Sequence, residues 1–126
     1  MNASERSTAS ESVHLDLSDD ERRLLRQGLR EWGGPADLTD PMAIAIGFAS
    51  TADFFATAKE LSALIEQKAA LPPADWRRIL LATEIVFVSD VVGAGYEWET
   101  VTGMDDESTL RILRGLQQRL PALLAR

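Results

Sequence analysis

The chain has 126 residues, enough for one domain to bury a substantial core without covalent cross-links. It contains no cysteine, which excludes disulfides, thiol catalysis and cysteine-ligated metal sites. A net charge of −7 disfavours nucleic acid as a partner, because the phosphate backbone would be repelled and the Lys and Arg residues are scattered along the sequence.

The N-terminal residues 1–12 are polar, and they lack the basic start and apolar segment of a secretory signal. We predict a disordered tail over residues 1–12 and a single helical domain over residues 13–126. The longest apolar stretch, residues 79–92, is too short to cross a bilayer and contains two acids. The sequence therefore predicts a soluble, cytoplasmic protein without a membrane partner.

The first helix has a clear start and end. Residues 13–17 alternate apolar and polar, which predicts an extended segment without a visible partner strand. Ser18 and Glu21 then have the spacing of a capping box, and Gly33 and Gly34 before a proline end the helix. One face is predicted to be buried, formed by Leu24, Leu25, Gly28, Leu29 and Trp32.

Two further helices follow. Asp40, as N-cap before a proline, predicts a short helix that ends near Gly47. Ser50 and Asp53 form a second capping pair and open a helix that runs to about Lys68. The pair invites a helix-turn-helix interpretation, which we reject because the second helix begins with an acid and two phenylalanines where base-contacting side chains are needed.

Residues 73–98 form the stretch around which we expect the chain to be organised. No Gly, Pro or Asn interrupts residues 74–92, which favours a helix over a buried strand of similar composition. Its apolar residues lie on nearly all sides, which predicts a central helix surrounded by others in an irregular all-α bundle of five or six helices.

The glycines after this run leave two alternatives. Gly93 and Gly95 either end the helix or mark a close-packed kink in a longer helix that reaches Thr102, and we favour the kink. Gly103 would then end the helix, and Asp105 would cap the last one. A nucleotide-binding glycine loop is not supported, because Trp98 occupies the position of the third glycine.

The last helix carries a leucine stripe, and Pro121 should kink or end it. We expect four of its leucines to face inward: Leu110, Leu113, Leu116 and Leu120. The C-terminal leucines either pack back on the bundle or form the face of a homodimer.

Glu84 is the strongest candidate for chemistry. We expect it on a buried face among Leu80, Leu81, Phe87, Val88 and Val91, where burial would raise the carboxyl pKa unless a partner stabilises the charge. A structural buried acid is the competing interpretation. A ligand pocket at the glycine kink would be lined by Glu84, Asp90, Tyr96 and Trp98.

Metal and cofactor sites are not predicted. His14 is the only histidine and has no positional partner, so the usual zinc and di-iron ligand sets are absent from the sequence. The sequence accordingly gives no cofactor and no catalytic constellation.

The segment between Gly93 and Thr109 has the most one-sided charge, with no Lys or Arg and five acids: Glu97, Glu99, Asp105, Asp106 and Glu107. We therefore predict a non-enzymatic interaction module that binds another protein through this segment. The acidic charge favours a basic partner. The alternatives are a small-ligand-binding protein or enzyme built on Glu84 and, more weakly, a DNA-binding regulator.

Overall fold

The computed structural model describes residues 11–124, which form an all-α bundle and so confirm the predicted fold class. Two short 3₁₀ turns, Glu31–Gly33 and Gly95–Glu97, connect longer elements. The described chain contains six α-helices: α1 (Asp19–Arg30), α2 (Asp40–Ile46), α3 (Thr51–Glu66), α4 (Pro73–Val88), α5 (Trp98–Thr102) and α6 (Asp106–Leu124).

The hydrophobic core is one cluster that extends from Leu15 to Leu124. The single domain predicted for residues 13–126 stays a prediction. The tail predicted for residues 1–12 lies, except for residues 11 and 12, outside the described residues.

Helix α1 begins at the predicted capping box. The Ser18 amide donates to Glu21 Oε1 at 2.9 Å, and the Glu21 amide donates to Ser18 Oγ at 3.1 Å. The predicted apolar face is buried, with Leu24 and Leu25 fully enclosed. Through this face α1 contacts α3, α4 and α6.

The crossing of α1 and α4 depends on one glycine. A Cβ atom added to Gly28 would lie 2.0 Å from Thr83 Oγ1 and 2.8 Å from Thr83 Cα. The Thr83 hydroxyl donates to the Ile79 carbonyl at 2.9 Å, so this buried polar group is satisfied inside its own helix. The two helices therefore approach with only the small Thr83 side chain between their backbones at this point.

The extended segment before α1 has a partner that the sequence did not reveal. Val13 and Leu71 form an isolated antiparallel bridge, with N–H to O distances of 2.8 and 3.1 Å. The Trp76 indole donates to the Val13 carbonyl at 2.9 Å. Leu71 lies between two helices and belongs to no alternating pattern, so the pairing left no sequence signal.

Helices α2 and α3 follow the prediction with one correction. Thr39, and not Asp40, is the N-cap of α2, and its hydroxyl accepts from the Met42 amide at 3.4 Å. Asp40 instead accepts from the Thr51 amide at 2.8 Å and links the starts of the two helices. Ser50 caps α3 as predicted, since its hydroxyl accepts from the Asp53 amide at 3.0 Å.

The continuous helix that we favoured between Pro73 and Thr102 is wrong. Helix α4 ends at Val88, because the Ser89 hydroxyl accepts from the Val91 and Val92 amides at 3.2 and 3.1 Å and starts a turn. A separate helix, α5, follows. It ends at Gly103 (φ 73°) as predicted.

The last helix, α6, is capped by Asp105 as predicted, since the Asp105 carboxylate accepts from the Ser108 amide at 2.7 Å. Leu110 is 44% exposed, so its predicted inward position is wrong; Thr109 is the buried residue at this turn. Pro121 does not end the helix, which continues to Leu124. The Leu124 carbonyl accepts from the Arg77 guanidinium at 2.6 Å, so the C-terminal turn packs back on α4.

No single helix within residues 11–124 is long and apolar enough to cross a membrane. Helices α2 and α3 pass that test of length and composition only when taken together, and they meet at a bend of 46°.

Candidate protein-interaction surface

Glu84 is half-buried where α4 contacts α6, which corrects the predicted buried surroundings. Leu81 and Val88, which we expected in the interior beside Glu84, are 36% and 67% exposed. The buried side of α4 includes the small residues Ala82 and Thr83, which let α1 approach closely. Two of the bulky apolar residues expected beside Glu84 therefore lie at the surface.

Glu84 is held by a neighbouring helix and not by a ligand pocket. Its carboxylate accepts from the Gln117 amide of α6, and the Gln117 oxygen accepts from Arg114 at 2.8 Å. None of the clefts described below is lined by Glu84. Its role in the described structure is to connect α4 with α6.

Asp90 closes the turn that follows α4. Its Oδ1 accepts from the Tyr96 amide at 2.7 Å. Gly95 between them has a φ of 47°, and a Cβ atom at this position would lie 1.9 Å from the same oxygen. Asp90 is therefore part of a tight backbone turn. This structural role explains why an acid lies beside two glycines, and no bound ligand is needed to explain it.

Tyr96 and Trp98 point in different directions. Tyr96 is 80% exposed, whereas Trp98 is fully buried against Phe87, with ring centroids 5.4 Å apart. The Trp98 indole donates to Thr109 Oγ1 at 3.0 Å and so fixes α5 on the first turn of α6. Tyr96 and Trp98 therefore do not line one surface, and the ligand pocket predicted around Glu84 stays a prediction.

The five predicted acids divide into two groups. Asp105 accepts from the Ser108 amide and hydroxyl, which hold the pKa of its carboxyl below the ordinary value, and Glu107 pairs with Arg111 at 3.3 Å. Glu97, Glu99 and Asp106 have no side-chain partner among the described residues. These three carboxylates are the ones left for another molecule.

Exposed apolar side chains accompany these acids. Nine large hydrophobic residues in the described chain are exposed, and five of them fall between residues 88 and 110: Val88, Val91, Tyr96, Val101 and Leu110. We call the exposed side chains of residues 88–110 the acidic surface. It combines exposed apolar side chains with charge of one sign, which makes it the candidate binding surface.

The charge imbalance is wider than the segment singled out from the sequence. No Lys or Arg occurs between residues 79 and 110, which hold seven of the 20 acids, so the remaining 13 acids equal the 13 Lys and Arg in number. This region therefore accounts for the whole net charge of −7. A running count of charge along the sequence would have shown it.

The basic residues are not scattered in space, which corrects the sequence-based expectation. Two clefts of about 390 and 470 Å³ lie between α1 and α3 and form one basic groove. Its apolar wall consists of Leu29, Phe55 and Ala58. It gathers six of the 13 basic residues: Arg22, Arg23, Arg26, Arg30, Lys59 and Lys68.

Only part of this basic charge is neutralised within the chain. Arg26 pairs with Glu66 at 2.5 Å, and Arg22 pairs with Asp19. Arg30, Lys59 and Lys68 form no salt bridge with any described residue. The side-chain oxygen of Gln27 in this groove is buried and has no donor among the described residues.

Glu31, in the 3₁₀ turn that follows α1, is a buried acid. It is 7% exposed, and burial raises the pKa of its carboxyl, although Arg30 opposes this shift. The folded state thus binds this proton more tightly than the unfolded state. Protonated Glu31 therefore stabilises the fold at acidic pH, and this contribution to the free energy of unfolding is lost as the pH rises through the raised pKa.

Replacing Glu31 by glutamine should therefore stabilise the protein at neutral pH, since the amide does not ionise. The gain should shrink as the pH falls towards about 4, the ordinary pKa of glutamate. Thermal unfolding of both proteins across this pH range measures the effect. A stability difference that is constant with pH would show that the Glu31 carboxylate carries no burial penalty.

Other kinds of site find no support in the described part of the chain. Residues 11–124 contain no group of three or more His, Asp or Glu side chains placed to hold a metal ion. The homodimer predicted through the C-terminal leucines stays a prediction, but Leu113, Leu116, Leu120 and Leu124 are buried within the chain itself.

No protein-family model, curated protein or solved structure matches this chain.

Proposed function

We propose that this protein is a non-enzymatic interaction module that binds a basic, amphipathic segment of another protein through the acidic surface. The observation that carries the proposal is the coincidence of exposed apolar side chains with unpaired acids over residues 88–110. Apolar contacts supply most of the affinity of such sites, whereas the charges accelerate association and select the partner.

Tyr96 is the expected anchor of this contact. Its side chain is 80% exposed, which leaves a large apolar ring in contact with water. Tyrosine combines such a ring with a hydroxyl and is enriched among the residues that dominate binding energy. Its backbone is fixed by the hydrogen bond to Asp90, so little ordering remains to be paid for on binding. Val91, at 88% exposure, lies on the same turn and extends the apolar area.

The competing functions receive less support. An enzyme built on Glu84 receives less support because its carboxylate accepts from Gln117 and two of its predicted apolar neighbours, Leu81 and Val88, are exposed. A DNA-binding role for α3 is disfavoured because Asp53 caps its own helix and Phe54 is fully buried against Trp32 and Phe48. We keep the cytoplasm as the proposed compartment, with which a chain without cysteine is compatible.

The test uses a synthetic helical peptide of leucine and lysine with all leucines on one face, measured by fluorescence anisotropy. We expect saturable binding, weakened roughly tenfold or more by Tyr96→Ala because a hot-spot contact is lost. The double change Glu99→Lys and Asp106→Lys should weaken binding and slow association, because both carboxylates lack partners in the described chain.

The matched control changes Glu11 and Glu60 to lysine, which alters the net charge equally but at exposed positions outside the acidic surface. This control should bind the peptide nearly as well as the wild type. A second control peptide of the same composition, ordered so that leucines cover all sides, should bind weakly. Equal effects of both lysine pairs would show that only net charge matters and would refute the proposed surface.

A further inference from the structure

We infer that the basic groove between α1 and α3 receives the acidic surface of a second copy of this chain. The inference rests on the proposed function of residues 88–110 and names the partner that this surface would bind. The acidic surface of one copy would then bind the basic groove of the next, so that each contact joins two different faces of the molecule.

Charge complementarity is the first observation that supports this contact. The groove is lined by six basic residues and only two acids, Asp19 and Glu66, in a protein whose net charge is −7. The acidic surface belongs to the region of residues 79–110 that contains no Lys or Arg. Each face therefore offers the charge that the other lacks.

The apolar parts of the two faces also correspond. Phe55 is 42% exposed in the wall of the groove, and Tyr96 is 80% exposed on the acidic surface. Two aromatic rings favour edge or offset contacts, and Arg26 or Arg30 can lie over the face of a tyrosine.

The two faces adjoin within one chain without neutralising each other. Arg23 of the groove donates to the Thr102 carbonyl at 2.9 Å, and Arg30 and Val101 line one cleft. The three unpaired carboxylates of the acidic surface nevertheless form no salt bridge with a groove residue in the described chain. These carboxylates are therefore available to the groove of a second molecule.

The experiment is sedimentation velocity over a concentration series up to millimolar protein at physiological salt. At this ionic strength charges farther apart than about 8 Å are screened, so the overall repulsion between copies is small while close contacts persist. The wild type should show a mass that rises with concentration and falls when salt is increased further.

Two variants isolate the two faces. The surface variant carries Glu99→Lys and Asp106→Lys, and the groove variant carries Arg30→Glu and Lys59→Glu; none of the four residues forms a salt bridge in the described chain. Each variant alone should self-associate roughly tenfold or more weakly than the wild type. An equimolar mixture should form a complex, because the lysine-bearing surface of one variant complements the glutamate-bearing groove of the other, and the native surface complements the native groove.

A wild type that stays monomeric over the whole series would overturn the inference, as would variants that associate like the wild type or a mixture that forms no complex. Circular dichroism confirms that each variant is folded. The leucine–lysine peptide separates this failure from failure of the proposed function. If the groove variant binds the peptide while the wild type never self-associates, the acidic surface binds a different partner.

Discussion

Replacing Gly28 by alanine is expected to lower the free energy of unfolding by about 1–3 kcal/mol or more, because the new methyl group would overlap Thr83. Its nearest atoms would be 2.0 Å away, and one of the atoms within 2.8 Å is the Thr83 Cα, which cannot move without the backbone of α4. The two helices would have to separate and leave gaps elsewhere along their contact. Chemical denaturation in urea measures this loss.

The matched control is Gly115→Ala in α6. A Cβ atom at Gly115 would meet no atom within 4 Å, so the change should stabilise the protein by up to about 1 kcal/mol through higher helix propensity. The same substitution should thus have opposite signs at the two positions. Equal stability of wild type and Gly28→Ala would mean that α1 and α4 do not approach as closely as described.

Replacing Trp98 by phenylalanine should produce the second large loss of stability. The Thr109 hydroxyl, fully buried, would lose its indole donor, at a cost of about 1–3 kcal/mol, and the smaller ring would leave a cavity that adds to it. Helix α5 would be the first element to loosen, because this hydrogen bond fixes it on α6. Near-ultraviolet circular dichroism and urea denaturation together measure the effect.

A double-mutant cycle identifies the hydrogen bond. Thr109→Val leaves the indole N–H of Trp98 without an acceptor, whereas the double variant with Trp98→Phe leaves neither group unpaired. The two losses should therefore sum to more than the loss in the double variant, with a coupling energy of about 1 kcal/mol. Strictly additive losses would refute a direct interaction between these side chains.

Helix starts were the part of the fold that the sequence predicted best. Ser18, Ser50 and Asp105 each cap the helix that follows, because a capping side chain bonds to amides only two or three residues away. Such short-range chemistry is visible in the sequence without any knowledge of the fold. The buried face of α1 was equally accessible, since its apolar residues follow a helical period.

The orientation of α4 could not be predicted in the same way. Its apolar residues lie on both sides, so the hydrophobic pattern does not identify the buried face. The face was chosen by the close approach of α1 at Gly28 and Thr83, which is a tertiary contact between residues far apart in the chain. The same limitation led to the wrong environment for Glu84, which bonds to Gln117 instead.

The end of α4 was missed for a local reason of a different kind. Ser89 accepts from two amides after it, and Asp90 accepts from the Tyr96 amide six residues on. A Ser or Asp can equally lie within a helix, so neither residue marks a helix end unless the turn is known. The resulting turn brings Tyr96 to the surface and Trp98 to the core.

The candidate surface was partly visible in the sequence. The acids Glu97, Glu99 and Asp106 were recognised from charge alone, and of the five predicted acids they are the ones without a side-chain partner in the described part of the chain. The exposed apolar residues beside them were not recognised, because exposure of Val91 or Tyr96 depends on the fold. The basic groove was missed since it combines arginines of α1 with Lys59 in the middle of α3 and Lys68 just after its end, which are far from α1 in the sequence.

The most direct measurement of the central claim is a map of amide chemical-shift changes in isotope-labelled protein titrated with the leucine–lysine peptide. Binding at the acidic surface predicts saturable changes concentrated in residues 88–110, with Val91, Tyr96 and Glu99 among the largest. At a protein concentration low enough to keep the chain monomeric, the groove amides of α1 and α3 should change little. Saturable changes that leave residues 88–110 unaffected, or no saturable change at all, would contradict the account.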